Sequence, residues 1–291
     1  MRAAARTLGV AQAGITRSLQ ELEKELGVSL FDRRARGVSL APEGELFLRR
    51  AKAVHSELRR AQDEVAQMQG ATHGEIRVCL SAVPHMALLP TALERFRQRY
   101  PGVKLIILDA LLPRVETELK DGTLDCYIGP VLDAVEDDLS VEKLFDNARV
   151  ILARQGHPLA GATSLRELAQ AEWVSASLAQ GDADELGPLF SRHGLPPPKL
   201  VVRAQSALSF IFAVAYSDML IMLPIQWVQA PLFRQVFQRI HVAEPLSAAP
   251  ICIVTRAKHR LTPAANYFCD MVRHASVNAE ADLCAEQSQA A

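Results

Sequence analysis

Residues 42–70 carry the pattern that most restricts how this chain can fold. Apolar positions fall at Phe47, Ala51, Val54, Leu58, Ala61, Val65 and Met68, at alternating spacings of four and three. That period of 3.5 residues sets them along one seam of a long helix, the pattern of a coiled coil. Pro42 suits a first helical turn, and Gly70 and then Gly74 end the stretch. Arg49, Arg50, Glu57, Arg59, Arg60, Asp63 and Glu64 are the expected solvated flanks. A second copy of the helix would cover the seam and make a dimer. A helix packed on its own domain is the plainer alternative.

Ahead of this helix, residues 1–41 form a compact helical segment. Arg2 to Leu8 is rich in alanine and leucine, strong helix formers, and Gly9 breaks the run. A second helix is predicted from Gln12 to Leu26, which completes a helix-turn-helix. Ile15, Leu19 and Leu22 recur on its inner face and leave Gln12, Ala13, Thr16, Arg17 and Gln20 outside. That outer face carries groups suited to base edges and phosphates. Gly27 ends the helix, and Asp32-Arg33-Arg34-Ala35-Arg36-Gly37-Val38-Ser39-Leu40 leads through a basic tip into a short alternating strand. Arg33, Arg34 and Arg36 thus have the charge and the position of a wing against DNA phosphates. An ordinary surface helix and a solvated loop are the bland reading of the same residues. Charge is divided to match: residues 1–70 carry 12 Lys/Arg against 9 Asp/Glu, a net +3, and the remainder nets −4.

From Ile76 onward apolar strands alternate with amphipathic helices, the signature of an α/β domain with a largely parallel sheet. Strands are predicted over residues 76–80, 103–109, 124–128 and 144–153, with helices over 85–100 and 113–120. The alternation restarts near Thr163, with strands over 173–177, 199–204 and 219–223 and helices over 186–193 and 206–216. A helix over 263–274 returns to the first unit. The last residues, rich in Ala, Glu and Gln, predict a loosely ordered tail.

Several function classes lack their residues. The five cysteines are odd in number and scattered, with no CxxC pair, which fits reduced thiols better than a disulfide framework or a zinc site. GxSxG, P-loop, HExxH and GxGxxG motifs are missing, so no enzyme is expected. No apolar run is long enough to cross a bilayer, and no signal peptide is seen, so a cytoplasmic protein is the default.

Four stretches, in order, resemble the start of the LysR-type transcriptional regulators. They are Arg2-Ala3-Ala4-Ala5-Arg6-Thr7-Leu8-Gly9-Val10, Ile15-Thr16-Arg17-Ser18-Leu19-Gln20-Glu21-Leu22-Glu23, Leu26-Gly27-Val28-Ser29-Leu30-Phe31-Asp32-Arg33 and Val38-Ser39-Leu40-Ala41-Pro42-Glu43-Gly44. Weaker marks, Asp121-Gly122-Thr123-Leu124-Asp125 and His157-Pro158-Leu159, extend the likeness to about residue 275. Arg192-His193-Gly194-Leu195-Pro196, Lys199 and Ser217-Asp218 are similar to the branch related to regulators of sugar and aromatic-sulfonate uptake. Three features depart from the family. Ala41 stands where threonine is usual, Ala13 stands where the recognition helix opens with proline, and Gly14 costs that helix about 1 kcal/mol. The family also has a whole helix before Arg2, so Met1 is expected to be an internal methionine with the true start upstream.

The resemblance implies an α and α/β protein. Its parts would be a truncated winged helix-turn-helix over 1–41 and a linker and dimerisation helix over 42–72. Beyond them would come a two-lobed effector domain like the periplasmic binding proteins, lobe 1 over 73–161 plus 263–276 and lobe 2 over 162–262, then a tail over 277–291. The hinge would lie near Ala160–Ala162 and Arg260–Thr262. DNA contacts would fall to Gln12, Ala13, Thr16, Arg17, Arg33, Arg34 and Arg36, and the chain would assemble as a dimer through the seam and as a tetramer. An organic anion or an aromatic or sugar-derived metabolite would lie against Ser81, Ala82, His85, Pro130, Ser177, Gln205, Ser206 and Pro224. These sit at strand ends, where free N–H groups favour an anion; serines there also serve as ordinary N-caps. The implied function is transcriptional regulation, partnered by double-stranded DNA, the effector and a second copy, with no cofactor, metal or membrane. A cytoplasmic small-molecule-binding protein with a non-functional head is the rival reading.

Overall fold

The computed structural model describes residues 5–7, 9–34, 37–132, 134–176 and 185–289. The chain divides into two compact units, Met1–Arg59 and Arg60–Ala291. In the first, helix α1 (Gln12–Leu26) ends on Gly27, whose φ of 69° is the left-handed conformation glycine adopts without strain. Ile15, Leu19 and Leu22 form its covered side but are only half-buried, since a unit this small has little surface to lay over them. Glu23 fixes the turn into the first strand, its Oε1 accepting from Leu30 N at 2.7 Å and Phe31 N at 3.3 Å. Strands β1 (Phe31–Arg34) and β2 (Gly37–Leu40) pair antiparallel, Phe31 opposite Leu40 and Arg34 opposite Gly37. Helix α2 (Pro42–Met68) then begins with Gly44 against the Leu30 carbonyl. A Cβ at that glycine would lie 2.0 Å from the oxygen, so only glycine permits the approach.

The second unit holds two five-stranded sheets. One runs β4-β3-β5-β12-β6 and the other β11-β7-β10-β8-β9. The first contains β3 (His73–Leu80), β4 (Gly102–Asp109), β5 (Cys126–Pro130), β6 (Leu139–Phe145) and β12 (Ile251–Arg256). Strands β4, β3 and β5 are parallel, and β12 runs antiparallel between β5 and β6. The second contains β7 (Arg149–Arg154), β8 (Glu172–Ser175), β9 (Lys199–Arg203), β10 (Leu220–Pro224) and β11 (Phe237–Ile240). Here β9, β8 and β10 are parallel, and β7 runs antiparallel between β10 and β11. Each sheet therefore has four strands running one way and a single reversed strand, β12 or β7, in second place from one edge.

Helices α3 (Ala82–Ala87), α4 (Leu89–Arg99), α5 (Leu112–Lys120) and α9 (Pro263–Gln289) accompany the first sheet, and α6 (Leu186–Arg192), α7 (Ala207–Ala215) and α8 (Gln226–Gln229) the second. One buried cluster joins the sheets, with Val78, Leu80, Phe96, Ile128 and Phe268 on one side and Val150, Val174, Phe210 and Ile221 on the other. Phe96 of α4 meets Phe268 of α9 edge-on at 5.6 Å. Separate clusters cover the far faces, one around Leu119, Leu124 and Tyr127 and the other around Leu165, Trp173 and Phe190.

The structure revises five expectations. The strand expected over 144–153 is two strands, β6 and β7, in different sheets. The chain therefore passes between the sheets at residues 146–148 and again at 241–250, not at Ala160–Ala162 and Arg260–Thr262; Asp146 and Asn147 interrupt the apolar run. The helix expected over 85–100 starts at Ala82 and breaks at Leu88, because Pro90 has no N–H for a continuing turn. Residues 277–289 continue α9 rather than forming a loose tail, as Ala, Glu and Gln are strong helix formers. Finally, Arg60 of α2 is buried rather than a solvated flank, and Gln67 is buried beside it on the same helix. Gln67 Oε1 accepts from Ala264 N at 2.9 Å and so caps the start of α9.

Candidate functional site

On α1 the outward positions Gln12, Ala13, Arg17 and Gln20 are exposed. Thr16 is half-buried, and its hydroxyl donates to Gln12 O at 3.0 Å, which leaves only its lone pairs for another partner. Arg17 Nε donates to Glu21 Oε1 at 2.9 Å, an exposed i,i+4 pair that holds the guanidinium along the helix and yields readily to a stronger anion. The backbone of Arg33 and Arg34 lies in β1. Their side chains, and Arg36, are outside the described residues. On α2 the seam residues Ala51, Val54, Leu58, Ala61, Val65 and Met68 are exposed or half-buried, as is Phe47. Val54 and Met68 keep 70% and 77% of their surface, so the seam is uncovered within one chain.

A cavity of about 180 Å³ opens where the parallel strands of both sheets end. Ser81, just past β3, and Pro130 of β5 reach it from one sheet, and Ser175 of β8 and Pro224 of β10 reach it from the other. Such ends, outside the carboxyl edge of parallel strands, are where open α/β sheets hold ligands. The two passages between the sheets also line it, through Asn147, Ala248 and Ala249. They are joined there as a short antiparallel pair, Ala148 opposite Ser247. Any change in the angle between the lobes therefore changes the cavity. Its apolar walls include Val83, Leu111, Leu132, Met222, Phe210 and Trp227, the last two packed edge-on at 5.0 Å.

Polar groups in this cavity are few and incompletely satisfied. Ser81 is buried, and its Oγ has no hydrogen-bond partner among the described residues. It precedes α3 without capping it. A Cβ on Gly129 would sit 2.8 Å from Ser81 Oγ and 2.3 Å from the Tyr127 hydroxyl, so glycine keeps that corner open. Arg149 Nη2 contacts both carboxylate oxygens of Glu185 at 2.5 Å, while its Nε is buried without a partner. Asn147 Oδ1 accepts from Gln226 Nε2 at 3.1 Å; Gln226 itself does not line the cavity, and its Oε1 is buried without a partner among the described residues. A buried hydroxyl or guanidine N–H left in this state costs about 1–3 kcal/mol, a cost that a polar ligand removes.

Of the positions expected to line an effector site, Ser81, Ala82, Pro130 and Pro224 meet in this cavity. His85 does not line it, and its Nδ1 lies 2.9 Å from Ser81 O, a contact that places the ring proton on Nδ1. Gln205 and Ser206 are exposed and away from the cavity; Ser206 Oγ accepts from Ser209 N at 3.2 Å, as an N-cap does. Ser177 lies outside the described residues. Sequence reasoning missed Asn147, Arg149, Glu185, Phe210 and Trp227. Asn147 and Arg149 were hidden inside the expected strand over 144–153, and the others carry no motif.

Among the described residues no cysteine lines the cavity. Burial pushes the Cys79 thiol up to about 12, and a hydrogen bond with Cys269 together with burial raises Cys126. Both stay protonated at neutral pH. Among the described residues no group of three His, Cys, Asp or Glu is placed to hold a metal ion, and no helix is long and apolar enough to cross a membrane.

Comparison with known proteins fits this arrangement. Residues 69–276 match the LysR substrate binding domain, and residues 1–45 match the bacterial regulatory helix-turn-helix protein, lysR family. The chain is 25% identical over 274 residues to the HTH-type transcriptional regulator TdcA of Escherichia coli (strain K12), across 94% of this chain and 87% of that protein. It is 30% identical over 269 residues to the SDS degradation transcriptional activation protein of Pseudomonas sp. (strain ATCC 19151), across 90% of this chain and 87% of that protein. The fold is shared with the crystal structure of CbnR, a LysR family transcriptional regulator. That likeness has a TM-score of 0.71 at 20% identity and covers 95% of this chain and 93% of the other.

Proposed function

Because this chain belongs to the LysR family of transcriptional regulators, whose helix-turn-helix binds DNA and whose second domain takes a small-molecule effector, we propose that the cavity between its two lobes is the effector site. The effector read from its walls is an organic anion with an apolar body, an aromatic acid being the plainest case. Ser81 carries this reading. Its hydroxyl is buried in the cavity, without a partner, and free of the capping role that would otherwise explain a serine before a helix. Arg149 supplies the charge, and Phe210 and Trp227 the surface for a ring.

In this proposal Gln12, Ala13, Thr16 and Arg17 face base edges and phosphates, with Arg33, Arg34 and Arg36 on the backbone of the duplex. The uncovered seam of α2 joins two copies, and the assembly goes on to a tetramer in the cytoplasm. The ligand draws the lobes together about residues 146–148 and 241–250 and so biases which arrangement of subunits meets DNA. It can do so only by binding one arrangement better than the other. The match of residues 1–45 to the helix-turn-helix family favours this account over a small-molecule-binding protein without DNA contact.

Native mass spectrometry tests the site. The full-length protein, incubated with the small-molecule fraction of its host's lysate, is expected to retain a ligand that Ser81→Trp does not. The same ligand held equally by Ser81→Trp refutes the assignment.

A further inference from the structure

The pair Arg149–Glu185 lines the inner cavity and also a second one, of about 480 Å³, whose outer wall holds Pro188, Leu189 and Arg192. The pair thus sits where the two cavities meet. Its two members differ in how they can move apart. Glu185 keeps 43% of its side chain exposed and Arg149 20%, so Glu185 can withdraw into water while Arg149 cannot. The pairing is also incomplete, since Glu185 reaches the guanidinium through Nη2 and leaves the buried Nε without a partner. A carboxylate set against the Nε–Nη2 edge would satisfy both donors, the two-point geometry that guanidinium and carboxylate favour.

We propose that Glu185 is a built-in competitor for the effector's anionic group: it neutralises Arg149, and an effector enters by taking Arg149 from it. The exchange leaves the charge of the site balanced, because one carboxylate replaces another at the guanidinium and the displaced one is rehydrated. An uncharged ligand of the same shape bonds a guanidinium less strongly than a carboxylate does, so it does not take Arg149 from Glu185. Glu185 thus sets the selectivity of the site for a single carboxylate on a ring-sized apolar body, with Ser81 Oγ free to bond the ligand deeper in. This inference rests on the lobe cavity being the effector site.

Isothermal titration of the full-length protein with benzoate, and with its uncharged counterpart benzamide, tests the inference. Glu185→Gln is expected to bind benzoate about ten-fold more tightly than the unaltered protein, because a charge-assisted contact no longer has to be broken. Its affinity for benzamide should not change, and Arg149→Gln should lose the preference for benzoate over benzamide. Ala249→Trp, which fills the cavity and keeps both charged residues, is the control. Equal benzoate affinity with and without Glu185, abolished by Ala249→Trp, overturns the competitor role and leaves the cavity as the effector site. Benzoate binding that survives Ala249→Trp, or no binding of either probe to any variant, overturns both.

Discussion

Arg60 Nη2 lies 2.9 Å from Asp125 Oδ1, and the two side chains keep only 8% and 2% of their surface. Arg60 stands on α2, and Asp125 opens onto β5. The surrounding bonds are arranged for this pair: Arg60 Nη2 also donates to Leu124 O at 2.8 Å, and Asp125 Oδ2 accepts from Arg77 N at 2.7 Å. Arg77 lies on β3, which pairs with β5 from Val78 opposite Cys126 to Leu80 opposite Ile128. The same two neighbouring strands thus hold α2 at one end and deliver Ser81 and Pro130 to the cavity at the other.

Breaking that pair on one side should be costly. Arg60→Leu leaves Asp125 buried and uncompensated, and about 3–5 kcal/mol of stability should be lost in urea unfolding. Replacing both partners with leucine should restore part of it, since no buried charge is then left unpaired, although Arg77 N loses its acceptor. A double variant no more stable than Arg60→Leu would contradict this account of the contact.

Glu142 and Arg273 make a forked pair between β6 and α9, Nε to Oε1 and Nη2 to Oε2 both at 2.8 Å. The hydrogen bonds from Arg273 hold the Glu142 carboxyl below its ordinary range. A depressed carboxyl adds stability that is present above its unfolded pKa, about 4.3, and lost as pH falls through the lower folded value. Glu142→Gln should therefore be less stable at pH 7, by about 0.5–1 kcal/mol because the pair is half in water. The difference should close as the pH is lowered below about 4. Thermal unfolding across that range measures it, and a gap that widens on acidification would reverse the sign.

The seam of α2 gives a third prediction. Leu58 and Val65 keep 59% and 58% of their surface in one chain. If a second copy covers them, Leu58→Lys with Val65→Lys should lower the mass seen by analytical ultracentrifugation without changing the circular dichroism of the fold. An unchanged mass would place the self-association elsewhere.

Much of this organisation was legible in the sequence because it is periodic. The heptad from Phe47 to Met68, the break at Gly27 and the strand ends at Ser81, Pro130 and Pro224 are all consequences of local spacing. What remained hidden depends on pairings between distant residues. Arg60 looks like a solvated flank until Asp125, on another element, takes it out of water. Strands β6 and β7 read as one run because alternation says nothing of the sheet each half joins, and so Arg149 went unseen. Ser206 and Ser81 look alike as serines before helices; only the position of each hydroxyl separates a cap from an unpartnered group in a cavity.

Occupancy of the lobe cavity is expected to change the grip of the helix-turn-helix on DNA. Fluorescence anisotropy of a labelled fragment of the gene's own promoter measures this directly, with and without the small-molecule fraction of the host's lysate. The unaltered protein should change its affinity for the fragment when the fraction is added. Ser81→Trp should bind the fragment as tightly as the unaltered protein and show no change. An equal response from both proteins would contradict the claim.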